Sequence, residues 1–483
     1  KTVPTETTMK DAIIVGAGVV GGWTARELTK QGLSVTILEK MSDVAMGATR
    51  ANSAIVHAGY DAKEGSLKAK LNVRGSEMME KTAEELGVRY RRCGSLVVAF
   101  AEEEKDTLRA LLARGEKNGV RGLRILSRDE VLAMEPNIGD GVIAALYAPT
   151  GAIVCPYELC IAAVGCAMDN GAELLRNFEV TAVEKIQGGY RLTSAAGESV
   201  EGRLVINCAG AYSDEIAKMA GVGTFTVRPR KGEYLLLDRE CGDTVGMTIF
   251  RCPSKMGKGI LVTPTVDGNL LLGPTAVDIG DKEDTATGVD GLAAVRRLAA
   301  EQVRGIDFRK IITSFAGLRS VGSTGDFIID MPLPGFVNVA AIESPGLTSA
   351  PAIAEYVTEL LKKAGVAFSP KKDFNPRRAP AHAFRDATAQ EKNRMIASRP
   401  DYAHIVCRCE TVSEGEIVDA IRRNPGAVDV DGVKRRTRAT MGRCQGGFCT
   451  PYIAGILARE LGIPYDEVTK SGGNSRLNVG RTK

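Results

Sequence analysis

The first regular pattern is an apolar run over residues 11–15, which gives way to Gly16-Ala-Gly18-Val-Val-Gly21 and then to helically spaced apolar residues as far as Lys30. Gly32 closes that helix, and residues 34–38 form a second apolar strand running into Glu39. Strand, glycine turn, helix and strand in this order predict a parallel βαβ unit. Helical spacing returns over residues 77–86 and 102–118, with a strand-like stretch at 94–100 between them. A loop after Leu146 leads into a helix ending at Gly171, and short strands separated by turns fill residues 180–207. Dense alternation over residues 227–272 predicts an antiparallel sheet lying over a site, followed by helices at 291–303 and 351–363. The character then changes. Pro370, Pro376, Pro380 and Pro400 stand among Lys371, Lys372, Arg377 and Arg378 without sustained periodicity, as in a surface linker. The expected units are residues 9–368, a linker at 369–401, a small cysteine-bearing module at 402–465 and a tail at 466–483 that is polar and disordered from Ser471. Residues 1–8 precede the first pattern and are set aside from the fold.

A chain of 483 residues is long enough for two or three domains. Its 44% hydrophobic and 25% charged residues suit a soluble globular protein, and a net charge of +4 gives no reason to expect a nucleic-acid partner. No apolar run reaches the roughly 18 residues of a membrane span, and no apolar signal core stands near the start. The expectation is a cytoplasmic protein. Eleven cysteines in such a chain argue against a disulfide framework. Cys93, Cys155, Cys160, Cys166, Cys208, Cys241 and Cys252 are scattered and read as small core hydrophobes.

The glycine turn carries the first chemistry. Gly16 allows the tight turn, Gly18 lets backbone approach a pyrophosphate, and Gly21 lets helix and sheet pack closely. The helix N-terminus offers amides to phosphates, and Glu39 is placed to accept from a ribose hydroxyl. NAD and FAD share this arrangement. No second complete unit of this kind occurs, because Gly322 and Gly325 lack the strand-to-helix context.

Other segments separate the two dinucleotides. They are residues 48–59, the run from Leu204 to Asp214, residues 257–274, Gly317-Leu-Arg319, and Glu343-Ser-Pro-Gly-Leu-Thr-Ser-Ala350. Together they resemble the D-amino-acid oxidase superfamily of FAD enzymes, within it the glycerol-3-phosphate dehydrogenase and L-2-hydroxyglutarate oxidase branch. The likeness spans residues 10–363. It implies an α/β fold with an α+β cap: a Rossmann-like FAD-binding domain (about 9–75, 145–227 and 305–365) and an antiparallel-sheet substrate domain (about 76–144 and 228–304). Gly346, Leu347 and Thr348 are implied to wrap the flavin ring and pyrophosphate, with Val180 at the adenine end. Ala17, Val20, Lys40, Thr49, Asn52, Ser53, Ala209, Gly210, Gly317 and Arg319 complete the expected cofactor contacts.

The remaining cysteines form two close pairs, Cys407-Arg-Cys409 and, 35 residues after Cys409, Cys444-Gln-Gly-Gly-Phe-Cys449. Thiolates suit iron–sulfur clusters or zinc, and these spacings are not those of a zinc ribbon. The segment resembles the bacterioferritin-associated-ferredoxin type of [2Fe–2S] module, also found at the end of anaerobic glycerol-3-phosphate dehydrogenases. Ser413 and Glu416 predict a capping box opening a helix over 414–422. Thr450 and Pro451 are expected as N-cap and N1 of a second helix, placing Cys449 at a helix N-terminus beside a negatively charged cluster. Arg408, Arg438 and Arg443 add positive charge.

Oxidising an alcohol at a flavin requires a base for the hydroxyl proton. Of the three histidines, His57 follows the segment that the family lays along the flavin, whereas His382 falls in the linker and His404 beside the cysteines. Arg319 matches the superfamily's carboxylate- or phosphate-binding arginine, and Lys258 in Gly-Lys-Gly matches a lysine of the glycerol-3-phosphate branch. Ser53 and Ser344 are expected as hydrogen-bonding neighbours, with Lys255 and Arg251 as weaker cations. The expected activity is oxidation of a small anionic hydroxy substrate, foremost sn-glycerol 3-phosphate, with electrons leaving through the cluster to an NAD-linked flavoprotein or quinone-reducing subunit of an oligomer. L-2-hydroxyglutarate or an amino acid as substrate, a non-catalytic electron-transfer subunit and a zinc-stapled protein are the competing expectations.

Overall fold

A computed structural model describes residues 9–253, 259–381 and 383–480. Strand β1 (Lys10–Val15), helix α1 (Val19–Lys30) and strand β2 (Val35–Glu39) form the expected βαβ unit. Helix α2 (Leu67–Leu86) starts ten residues before the periodic stretch at 77–86, at the Ser66 cap. Helix α3 (Pro156–Asp169) leads to strand β3 (Glu173–Arg176). Strands β4 (Ser199–Asn207) and β5 (Val227–Leu237) follow, then β6 (Ile311–Gly322), β7 (Phe336–Ala340) and helix α4 (Gly346–Lys363).

Five strands run parallel in the order β3-β2-β1-β4-β7, with antiparallel hairpin strands Val180–Ile186 and Gly189–Ser194 beside β4, and Ile328–Leu333 beside β7. The inner parallel strands β2, β1 and β4 end in near-continuous apolar runs because helices cover them, whereas the edge strand β3 is partly exposed. Trp23, Leu28, Val164 and Ile353 from α1, α3 and α4 pack with Ile14, Ile37 and Ile206 of the sheet. The second sheet has nine strands built on the long β5–β6 pair and is antiparallel except where Thr248–Arg251 runs parallel to Ser95–Ala99. Among the described residues no helix is long and apolar enough to cross a membrane.

The stretch expected to lack periodicity holds a helix, Ala389–Ser398, opened by a capping box of Thr388 and Glu391. Ahead of it, Arg378 is buried and donates to Asp169, and the Lys371 amide donates to Lys30. The cysteine module contains α5 (Glu414–Arg422), α6 (Val430–Thr437) and α7 (Thr450–Leu461) around its own apolar core. Ser413 and Glu416 form the expected capping box. The start of α7 differs by one residue: Cys449 is the N-cap, and the Thr450 hydroxyl donates to the Gly446 carbonyl. The tail, expected to be disordered, turns back at Gly472 and Ser475, and the Ser471 carbonyl accepts from Ser42.

The module is held by charge buried at its seam. Asp43 is fully enclosed, and its carboxylate accepts from Arg435 at 2.6 Å and from Arg436 at 2.7 and 2.8 Å. Burial alone would raise this carboxyl, but Arg436, then Arg435 and Arg176, outweigh it and hold it far below the usual range. A second seam joins Arg438 to Glu410 at 2.9 Å, to Asp267 and, at 3.1 Å, to Asn269. Replacing both Arg435 and Arg436 by Ala strands Asp43, with an expected loss of about 3–5 kcal/mol in urea denaturation at neutral pH. A folded-state pKa below the unfolded one stabilises above the unfolded value, so the difference from the parent should narrow as the pH falls below about 4.

Candidate functional site

A cavity of about 640 Å³ opens along the C-terminal edge of the parallel sheet, between it and β5–β6. At one end lie Glu39, Lys40 and Val180; at the other Ser53, His57, Arg319 and Ser344. Gly16 turns with φ of +102°, its missing Cβ leaving room for the Cys208 carbonyl. A Cβ on Gly21 would lie 1.9 Å from the Gly16 carbonyl oxygen, so only glycine lets α1 start this close to the strand. Gly18 is the N-cap and supplies no capping side chain, which leaves the positive helix end to a ligand. Thr49 reaches across and accepts from the Val19 amide at 3.0 Å.

The sequence-predicted positions fall into three groups. Gly16, Gly18, Val20, Glu39, Lys40, Thr49, Asn52, Ser53, His57, Val180, Ala209, Gly210, Gly317, Arg319, Ser344, Gly346 and Leu347 line the cavity. Ala17, Gly21 and Thr348 stand just behind its wall: the Ala17 amide donates to Glu39 at 2.8 Å, and Thr348 accepts from the His57 amide at 2.9 Å. Lys258 and Lys255 lie outside the described residues, as does His382. Glu39 is buried and also accepts from the Met41 amide at 2.9 Å; burial raises its carboxyl against these two amides. Arg251 pairs with Glu301 at 3.2 Å.

At the far end His57 Nε2 and Ser344 Oγ are 3.3 Å apart. Asn72 donates to the His57 carbonyl at 2.6 Å, so both sides of the His57 backbone are fixed. Arg319 donates from one nitrogen to the Thr275 carbonyl at 2.8 Å and also hydrogen-bonds the Tyr234 hydroxyl, two of the partners its five-donor fork can serve. Tyr234, which sequence reasoning missed, lies on this wall, 3.3 Å from Ser53 Oγ and stacked on Phe315 with ring centroids 4.8 Å apart. Also missed were Tyr212, Lys282 and Glu283 at the opposite end, where the Lys40 ammonium lies 3.8 Å from the Tyr212 ring centroid.

In the module the sulfurs approach as two crossed pairs. Cys409 and Cys444 Sγ are 3.5 Å apart, and Cys449 donates to Cys407. Each close pair in sequence contributes one sulfur to each close pair in space. That bond from Cys449 outweighs burial and brings the Cys407 thiol down to about 6, helped by amides of Thr440 and Glu410. Burial opposes ionisation of Cys444, but the Cys409 thiol and amides of Gly446, Phe448 and Gly447 bring it below its ordinary value. Thr411, Arg438, Thr440 and Gln445 all have positive φ, half of the eight such non-glycine residues described, which turns successive amides toward the sulfurs. No three His, Cys, Asp or Glu side chains are grouped for a single metal ion among the described residues. Two thiolate pairs in an amide-rich pocket fit a two-iron cluster, each iron taking two protein sulfurs.

A dinucleotide cavity and a four-thiolate pocket on one chain define a flavoprotein oxidoreductase with an iron–sulfur module. Residues 11–360 match the FAD dependent oxidoreductase family, and the chain belongs to it. Residues 405–459 match the BFD-like [2Fe-2S] binding domain. The chain is 47% identical to a glycerol 3-phosphate dehydrogenase of Caloramator mitchellensis, over 98% of this chain and 99% of that one. A structure of dithionite-reduced L-alpha-glycerophosphate oxidase from Mycoplasma pneumoniae with FAD bound is 31% identical and superposes with a TM-score of 0.73, covering 77% of this chain and 98% of that one. A mitochondrial L-2-hydroxyglutarate dehydrogenase of Pongo abelii is 31% identical, over 72% of this chain and 86% of that one. FAD and a [2Fe–2S] cluster are the cofactors of these two domains.

Gly21→Val should abolish flavin retention, because its side chain displaces the turn that receives the pyrophosphate. The check is the visible absorbance of purified protein, with the iron content expected to match the parent.

Proposed function

We propose that the chain oxidises sn-glycerol 3-phosphate to dihydroxyacetone phosphate and delivers the electrons through its cluster to a partner protein. The observation that carries this reading is the match along nearly the whole of both chains to the Caloramator mitchellensis enzyme, cysteine module included. The glycerophosphate oxidase likeness covers the flavin region and supports the same substrate.

Bound FAD supplies a two-electron acceptor that takes a hydride from the substrate carbon. The chain's own groups do the rest. His57 takes the hydroxyl proton at Nε2, and Ser344, 3.3 Å away, orients the ring. Arg319 holds the anionic group with the N–H groups that Thr275 and Tyr234 do not use. Tyr234 and Ser53 close the wall beside it. Lys258 is the second cation expected of this branch. Glu39 holds the adenosine ribose at the other end, while Val20, Thr49 and the Gly346–Thr348 segment follow the cofactor between the two ends.

Eleven cysteines, four of them cluster ligands as reduced thiolates, suit a cytoplasmic setting. The electron acceptor in this reading is an NAD-linked flavoprotein or a quinone-reducing subunit, which would also hold the chain at a membrane face.

Mixing oxygen-free protein with glycerol 3-phosphate should bleach the flavin within the enzyme's turnover time, whereas L-2-hydroxyglutarate leaves it yellow. Bleaching by the hydroxy acid and not by the phosphate ester reverses the assignment. His57→Asn should slow the bleaching by about 10²–10⁴-fold with the phosphate ester still bound. Arg319→Ala should mainly raise the concentration needed for half-maximal rate. A His57 variant with the parent's rate removes that residue from the chemistry.

A further inference from the structure

The cysteine pocket is lopsided. Cys407 and Cys449 are each 2% exposed, whereas Cys409 stands in solvent and Cys444 is half-buried beside it. One edge of the two-pair arrangement therefore faces the core of the module and the other faces outward. Among the described residues the exposed aromatic side chains are Phe448 at 80%, Tyr452 at 61% and Tyr465 at 43%, and all three belong to this module.

They are spatially linked. Phe448 directly precedes Cys449, the N-cap of α7, and Tyr452 stands in the first turn of that helix. The Tyr465 hydroxyl donates to the Pro451 carbonyl at 3.4 Å, and His404 packs edge-on against Tyr452 with ring centroids 6.4 Å apart. Gly447 and Gly455 are exposed between and beside these rings, which leaves the face low and open. Large aromatic side chains kept in water cost stability and solubility unless another surface covers them. Aromatic anchors ringed by small and polar groups are the usual composition of an interface centre.

The charge at this edge is cationic. Arg408, between Cys407 and Cys409, is exposed and makes no ion pair among the described residues. Arg443, next to Cys444, is exposed and shared with Asp238 and Glu240 at 3.3 and 2.8 Å. Glu414 is occupied by His404 and Arg459, both at 2.8 Å. The exposed carboxylate of Glu240 at this edge is shared between Arg443 and Lys310, and further exposed carboxylates stand at the far rim, at Asp466 and Glu467 beyond Tyr465. Phe448 and Tyr452, with Arg408 beside Cys409, make the centre of this face, and Tyr465 marks its border.

We propose that this face, at the open Cys409–Cys444 edge, docks an acidic protein that accepts electrons one at a time. The proposal deepens the reading above and rests on its assignment of a cluster to the module. Tunnelling falls steeply with distance, so an acceptor gains most by covering the edge where the sulfurs reach the surface. Each docking event removes one electron, and two acceptors are reduced for each two-electron oxidation of substrate. The cation sets the orientation and speeds encounter, while the aromatic pair holds the complex.

The test uses the full-length holoprotein with rubredoxin, a small acidic one-electron iron protein, as the probe, and a basic cytochrome c as its contrast. Photochemical reduction loads the protein, so the outcome does not depend on the substrate. Phe448→Glu and Tyr452→Glu should each weaken rubredoxin binding by roughly thirtyfold in calorimetry and slow its reduction correspondingly. Arg408→Glu should abolish the salt dependence of that reduction. Flavin and cluster spectra should stay those of the parent, and Tyr452→Glu, one turn removed from the sulfurs, separates docking from any damage to the pocket by the Phe448 variant. The proposal is overturned if the parent does not bind rubredoxin, if cytochrome c is served better, or if both Glu variants reduce rubredoxin like the parent. It is equally overturned if light scattering shows a dimer that these variants split, since a second copy would then be the occupant. A photoreduced protein that serves rubredoxin yet ignores glycerol 3-phosphate would remove the substrate assignment and leave the docking face intact.

Discussion

Enclosing a carboxylate without water is costly unless charge and hydrogen bonds meet it from several sides, and the position of Asp43 is set by that constraint. Its oxygens are met by Arg435 and Arg436 of α6, while four residues earlier, at the end of β2, Glu39 faces the dinucleotide cavity. One short segment is therefore wall to the flavin site on one side and anchor for the cysteine module on the other. Thr49, six residues further, caps the approach to α1. The module is anchored on the segment that also walls the dinucleotide cavity. The second seam, from Arg438 to Glu410 and Asp267, fastens the cysteine loops to the substrate sheet by the same physics.

The two redox pockets are built by opposite strategies. The dinucleotide cavity removes side chains, with Gly16 and Gly21 clearing space so that backbone and helix end meet a phosphate. The cysteine pocket instead bends ordinary residues into left-handed conformations, so that amides of Thr440, Gly446 and Phe448 point at sulfur. Thr411, Arg438, Thr440 and Gln445 pay backbone strain that glycine would spare. The arrangement stabilises negative sulfur before any metal chemistry is considered.

What was legible in the chain was what is local. The glycine turn, the Glu39 strand end and the Ser413 capping box are written in a few adjacent residues, and each is where the pattern puts it. The capping box at Thr388 and Glu391 carries the same signal but sits among prolines and charges that read as a linker. Pro451 signalled α7 correctly, yet the cap fell one residue earlier because the Thr450 hydroxyl bonds back to Gly446. Long-range pairs left no trace: Asp43 and Arg436 are 393 positions apart. Tyr234 reaches Ser53 through the register of the β5–β6 pair, and the described part of the tail is tied down by distant partners, Ser42 and the Asp431 amide among them.

A two-electron flavin and a one-electron cluster on one chain should fill with electrons as a connected pair. An anaerobic dithionite titration of the holoprotein, followed by visible absorbance and by electron paramagnetic resonance, tests it most directly. Reduction should end at about three electron equivalents per chain, with the paramagnetic signal of a reduced two-iron cluster appearing along the titration. An end point of about two equivalents with no cluster signal in protein carrying its full iron content would contradict it.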